Sequence, residues 1–133
     1  MDDFSEKNGY LGAKSILEKN KVSAFVTTDD LLAFGVQKAI QELGYKDISI
    51  VGFNNIPLTQ YKNPPLASVD INSEKLGMYA TKLLIDKLEN RESKGYYVIE
   101  TKLVERESLK KENINWNSYD NEEDKFISPF LRL

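Results

Sequence analysis

The stretch Asp47-Ile48-Ser49-Ile50-Val51-Gly52-Phe53-Asn54-Asn55 decides the fold. Ile48, Ile50 and Val51 read as a short apolar β-run, and Gly52 is expected to end it by letting the backbone turn sharply. In open parallel sheets, ligands bind just past the carboxyl ends of the strands. Phe53 and Asn54 therefore fall where an aromatic face and an amide can meet a small polar molecule. Upstream, Ala24-Phe25-Val26-Thr27-Thr28-Asp29-Asp30 repeats the plan: an apolar run, then carboxylates, then a helix. Two strand ends that offer hydrogen-bonding groups predict a binding cleft.

Working outward, residues 9–20 predict a helix, because Tyr10, Leu11, Ala13, Ile16 and Leu17 recur at spacings of three and four. Val22 to Val26 reads as a strand. Asp29 or Asp30 caps the next helix, since a carboxylate accepts free N–H groups of a first turn and suits its positive end. That helix carries Leu32, Val36, Ala39, Ile40 and Leu43 on one side, and Gly44 stops it. A loop rich in Asn and Pro follows from Asn54 to Pro65. Pro64-Pro65 gives an extended entry into Leu66-Ala67-Ser68-Val69. A third helix is expected over about 73–90, capped by Asn72 or Ser73, with Leu76, Ala80, Leu83, Leu84 and Leu88 as its stripe. Tyr96 to Ile99 and Thr101 to Val104 are strand-like. The β-α-β order predicts an α/β architecture with a mainly parallel sheet flanked by helices.

The chain has 133 residues, one domain by the usual size prior, with 41% hydrophobic and 29% charged residues, enough to bury a core and stay dissolved. It has no cysteine and no histidine, so a disulfide framework, a thiolate or imidazole metal site and a Ser-His or Cys-His nucleophile are excluded. No metal and no cofactor is expected. A formal net charge of -3 argues against a nucleic-acid footprint on this chain. No apolar run nears the ~20 residues of a membrane helix, and the acidic start lacks a signal-peptide core, so a cytoplasmic protein without membrane contact is expected.

Several strings, in order, resemble the effector-binding region of the lactose-repressor/galactose-repressor (LacI/GalR) family of bacterial transcription regulators. They are Asp3-Phe4-Ser5…Gly9-Tyr10, Thr28-Asp29-Asp30-Leu31-Leu32-Ala33-Phe34-Gly35 and Leu43-Gly44. Next come Asp47 to Phe53, Pro64-Pro65-Leu66, Leu76-Gly77 and Leu103-Val104-Glu105-Arg106-Glu107-Ser108. The resemblance implies an incomplete periplasmic-binding-protein-like lobe over residues 1–108. In that scheme the helix at 73–90 crosses over to the other lobe and is left with uncovered apolar surface. Operator DNA would be bound only through an N-terminal headpiece absent from this chain. Residues 109–133 read as a polar, mobile tail, with Phe126, Ile127, Phe130 and Leu131 as an apolar patch.

The resemblance also implies site residues. Phe4 matches an aromatic that packs on the effector; read from the residues alone, it equally serves as a staple on the following helix. Asp29 matches a position that hydrogen-bonds effector hydroxyls, with helix capping as the other reading; both hold if Asp30 caps and Asp29 faces the cleft. Asn54 stands where many relatives carry aspartate, and an amide donates as well as accepts. Phe53 lines the pocket or fills the core. Phe34, beside the helix stripe, matches part of a subunit contact. The expected function is effector sensing and dimerisation in a sugar-responsive repressor, with a sugar or sugar phosphate as effector. A sugar-binding protein of a transport system is the alternative. An enzyme built on Asp29 and Asp30 is disfavoured, because adjacent residues at a helix start point in different directions.

Overall fold

The computed structural model describes residues 4–92 and 95–110. Helix α1 (Glu6–Leu17) leads into strand β1 (Ala24–Val26), helix α2 (Asp30–Glu42) and strand β2 (Ser49–Phe53). A 3-10 turn at Pro57–Tyr61 precedes β3 (Ala67–Asp70), helix α3 (Ser73–Leu88) and β4 (Lys102–Val104). The sheet order is β1-β2-β3-β4. The first three strands run parallel and β4 returns antiparallel beside β3. The mostly parallel α/β lobe expected from the sequence is therefore the fold observed. The 109–133 tail lies, from residue 111 onward, outside the described residues.

Local chemistry sets the element ends. Helix α1 starts three residues earlier than its apolar spacing predicts, because Ser5 Oγ accepts from Asn8 N and Glu6 supplies a negative charge to the first turn. Gly52 corrects an expectation: it lies inside β2 rather than ending it, and a side-chain carbon there would collide with Asp30 Oδ1. The strand-like run at Tyr96–Ile99 forms no strand, and Val98 is 85% exposed.

Ala13 and Leu17 of α1 meet Ala33, Phe34, Val36, Ala39 and Ile40 of α2, with Ile48, Ile50 and Leu66 from the sheet side. The two helices approach until their backbones touch. A side-chain carbon on Gly9 would overlap Leu32 O, and one on Gly35 would overlap Glu6 O. Phe34 belongs to this core and is 2% exposed, with Lys62 Nζ 4.1 Å from its ring centroid. That corrects the subunit-contact expectation. Helix α2 is covered by α1 as well as by the sheet, so its buried arc is wider than the single stripe read from the sequence. Both flanks of the stripe are filled, and the ring is not available to a second subunit.

The far side of the sheet is exposed at its edge strands and covered at Ala67. Register places Val26, Val51 and Ala67 in one cross-strand row and Phe53, Val69 and Leu103 in the next. Val26 is 80% exposed and Leu103 44%. Helix α3 likewise shows its stripe: Leu76, Leu84 and Leu88 are exposed. Its buried side chain is Asp86, held by Lys82 at 2.9 Å.

Ser108 fastens the end of the lobe to its middle. Its Oγ donates to Ile50 O at 2.7 Å and accepts from Ala67 N at 2.7 Å. Its backbone accepts from Ile50 N at 2.9 Å and donates to Pro65 O at 3.0 Å. One buried residue thus satisfies four backbone groups at the start of β2 and β3, where the ladder would otherwise leave them unpaired.

Candidate functional site

Because β1, β2 and β3 are parallel, their carboxyl ends share one edge, where Asp29, Asn54, Asn55 and Asp70 gather. Asp29 is the N-cap of α2, in extended backbone, and its Oδ1 accepts from Leu31 N at 2.7 Å. Its Oδ2 accepts from Asn54 Nδ2 at 2.9 Å. One carboxylate therefore caps the helix and reaches the loop beyond the next strand. The division of labour expected from the sequence is corrected on one side: Asp29 is the cap, and Asp30 is not.

Asp30 is fully buried beneath the loop. Its Oδ1 accepts from Ser68 Oγ at 2.6 Å and its Oδ2 from Ile56 N at 2.8 Å. Burial pushes its carboxyl up from the ordinary aspartate range, against the pull of these bonds and of the Phe53 backbone N–H.

Asn54 and Asn55 both take the left-handed backbone, with φ of 100° and 50°. Asparagine tolerates that region better than most residues because its short side chain bonds locally. Asn55 Nδ2 donates to Asp70 Oδ2 at 3.1 Å, and Arg106 Nη2 donates to Asn55 Oδ1 at 2.9 Å. Arg106 also donates through Nη1 to Leu66 O at 2.7 Å. Asp70 Oδ1 accepts from Asn72 N at 2.7 Å, ahead of α3.

Of the residues expected at the site, the structure joins Asp29 and Asn54. Phe4 stands 65% exposed, one residue before the α1 cap. Phe53 is 38% exposed on the far face of the sheet, in register with Val69, and fills no core among the described residues. Asn55, Asp70 and Arg106 were not anticipated. The strand-end rule that found Asp29 and Asn54 would have found Asp70, had it been applied to the third strand. No group of three or more acidic, histidine or cysteine side chains among the described residues is set to hold a metal ion.

Carboxylates and amides thus crowd one edge of a lobe of mostly parallel strands. The model for the periplasmic binding protein-like domain matches residues 1–109, and the chain belongs to that family. Within it, the relatives are transcriptional repressors of the LacI/GalR type. The chain is 37% identical over 109 residues to the lactose operon repressor of Rhizobium radiobacter, covering 79% of this chain and 96% of that one. Among solved structures it resembles the lac repressor dimer bound to operator and the anti-inducer ONPF, with a TM-score of 0.75 and 26% identity over 80% of this chain and 39% of that one. A LacI family transcriptional regulator from Enterococcus faecium with bound ribose gives a TM-score of 0.73 at 26% identity, covering 80% of this chain and 41% of that one. The chain spans 33% of the length of other curated relatives, the MelR and PurR repressors.

Proposed function

We propose that this chain is the effector-sensing and dimerising part of a cytoplasmic, sugar-responsive repressor, with residues 1–108 as the effector-binding unit. The observation that carries the reading is the Asp29–Asn54 pair, set at adjacent parallel strand ends 2.9 Å apart. A sugar hydroxyl both donates and accepts. Asp29 offers acceptor lone pairs, and Asn54 offers its Oδ1 and its second N–H, so the pair can grip neighbouring hydroxyls from both sides. The exposed rings of Phe4 and Phe53 are candidates to stack on the C–H face of such a ligand.

In the whole protein, an effector preferring a closed cleft would shift the relative angle of two lobes, and so the operator affinity of the headpieces. The chain itself carries a formal net charge of -3, and an electrophoretic shift with operator DNA is expected to show no specific band. Ribose serves as the probe for the site. Nitrogen-15 NMR titration of the 133-residue chain should move the signals of Asp29, Asn54 and Asn55, with weak affinity because one lobe grips the ligand from one side. Ribose-induced shifts confined to other surfaces, or none at any concentration, would remove the proposal.

A further inference from the structure

Asn54 reaches Asp29 because of a strained loop, and the loop has identifiable anchors. Two consecutive non-glycine residues at positive φ persist only when their surroundings over-determine them. Three successive backbone N–H groups show how. Asn54 N donates to Val69 O at 2.9 Å, an ordinary strand bond. The next two go to side chains: Asn55 N to Ser68 Oγ at 3.0 Å, and Ile56 N to Asp30 Oδ2 at 2.8 Å. Those two acceptors are joined to each other at 2.6 Å, and both residues are fully buried.

Ser68 stands between a donor and an acceptor: its Oγ accepts from Asn55 N and donates to Asp30 Oδ1. Asp30 follows Asp29 directly in the chain, so one helix start carries the site carboxylate and the anchor of the opposing loop. Gly52 completes the seat, since any side chain there would strike Asp30 Oδ1. We infer that Asp30 and Ser68 are positioning residues, which hold the Asn54 amide against Asp29 without touching the ligand themselves. The inference rests on the effector reading for its purpose, but its geometry can be tested without any ligand.

The test uses the 133-residue chain and its Ser68→Ala, Asp30→Asn and Asp30→Glu variants. Asparagine at position 30 cannot satisfy both donors, because its amide would point a third hydrogen at a serine that then lacks an acceptor. Hydrogen exchange of the Asn54 side-chain NH2 and of the Ala39 and Ile40 backbone amides is followed by NMR. Expected is roughly tenfold faster Asn54 exchange in Ser68→Ala and Asp30→Asn, with the core amides unchanged. Asp30→Glu, which keeps the carboxylate, should restore part of the protection. Parent-like Asn54 exchange in both variants overturns the inference, as does loss of core protection in step with Asn54 even in the conservative variant. Ribose titration of the same samples separates the two readings. If Asn54 is released while ribose-induced shifts stay as in the parent, positioning stands and the effector role of Asn54 falls.

Discussion

Asn54 donates from Nδ2 to Asp29 Oδ2 across 2.9 Å, tying the loop beyond β2 to the first turn of α2 through two side chains. A helix cap and a candidate ligand group are thus one residue, and substitutions at either partner should separate the two duties.

Asp29→Ala should cost about 1 kcal/mol of stability through the lost cap and should abolish ribose-induced shifts. Asp29→Ser keeps a capping oxygen but is too short to reach Asn54. It should therefore stay within ~0.5 kcal/mol of the parent in urea unfolding while still losing the ribose response. Equal stability loss in the two variants would contradict the separation.

Asn54→Asp should replace a donor by a second carboxylate against Asp29. Like charges at this separation raise the pKa of one group, so its contribution to stability grows as pH falls through that raised value. Urea unfolding should show a deficit of roughly 1–2 kcal/mol near neutrality that shrinks on acidification.

Asp30 and Glu42 should titrate in opposite senses. Burial raises the folded-state pKa of Asp30, so folding is favoured as pH drops through that value. For Glu42, the hydrogen bond from the Tyr10 hydroxyl and then that from Lys14 lower the carboxyl. Its contribution is present above the ordinary glutamate range and disappears as pH falls through the depressed value. Carboxyl carbon-13 titrations would read both directions directly.

Gly35→Ala should destabilise by about 1–3 kcal/mol or more, because the added carbon lands on the backbone of α1 and neither helix can move without opening the core. Gly12→Ala, facing open space in the same pair of helices, should gain up to about 1 kcal/mol. Thermal unfolding of the two variants makes the comparison.

Phe34→Ala should cost about 3–5 kcal/mol as a core truncation. Phe34→Leu, if folded, should sediment with the same oligomeric state as the parent. A change of oligomeric state in that variant would return the ring to a subunit contact.

The strand-end reading found Asp29 and Asn54 because it depends on chain direction alone: whatever follows a parallel strand lands at one edge. The apolar stripe of α3 was legible because its spacing of three and four is a property of the helix alone. Phe34 misled because periodicity describes one helix against one partner, whereas α2 has two. Gly9 and Gly35 were visible as letters, but their role is an absence of atoms that only the helix crossing reveals. Asp30 resembled a surface cap, and its burial depends on Ser68, 38 positions away. The strings that carry the family resemblance include Gly9, Asp30, Gly35, Arg106 and Ser108, which mostly stitch the lobe together. They therefore announce the fold more clearly than the ligand.

Ser108 gives this lobe a timetable. Its hydroxyl closes on Ala67 from 41 residues downstream, an interval of roughly 2–8 seconds at ordinary rates of translation. Until it leaves the ribosome, the start of β2 and β3 has unmet backbone groups beside apolar side chains. Nascent chains halted before that serine should be the ones that chaperones hold.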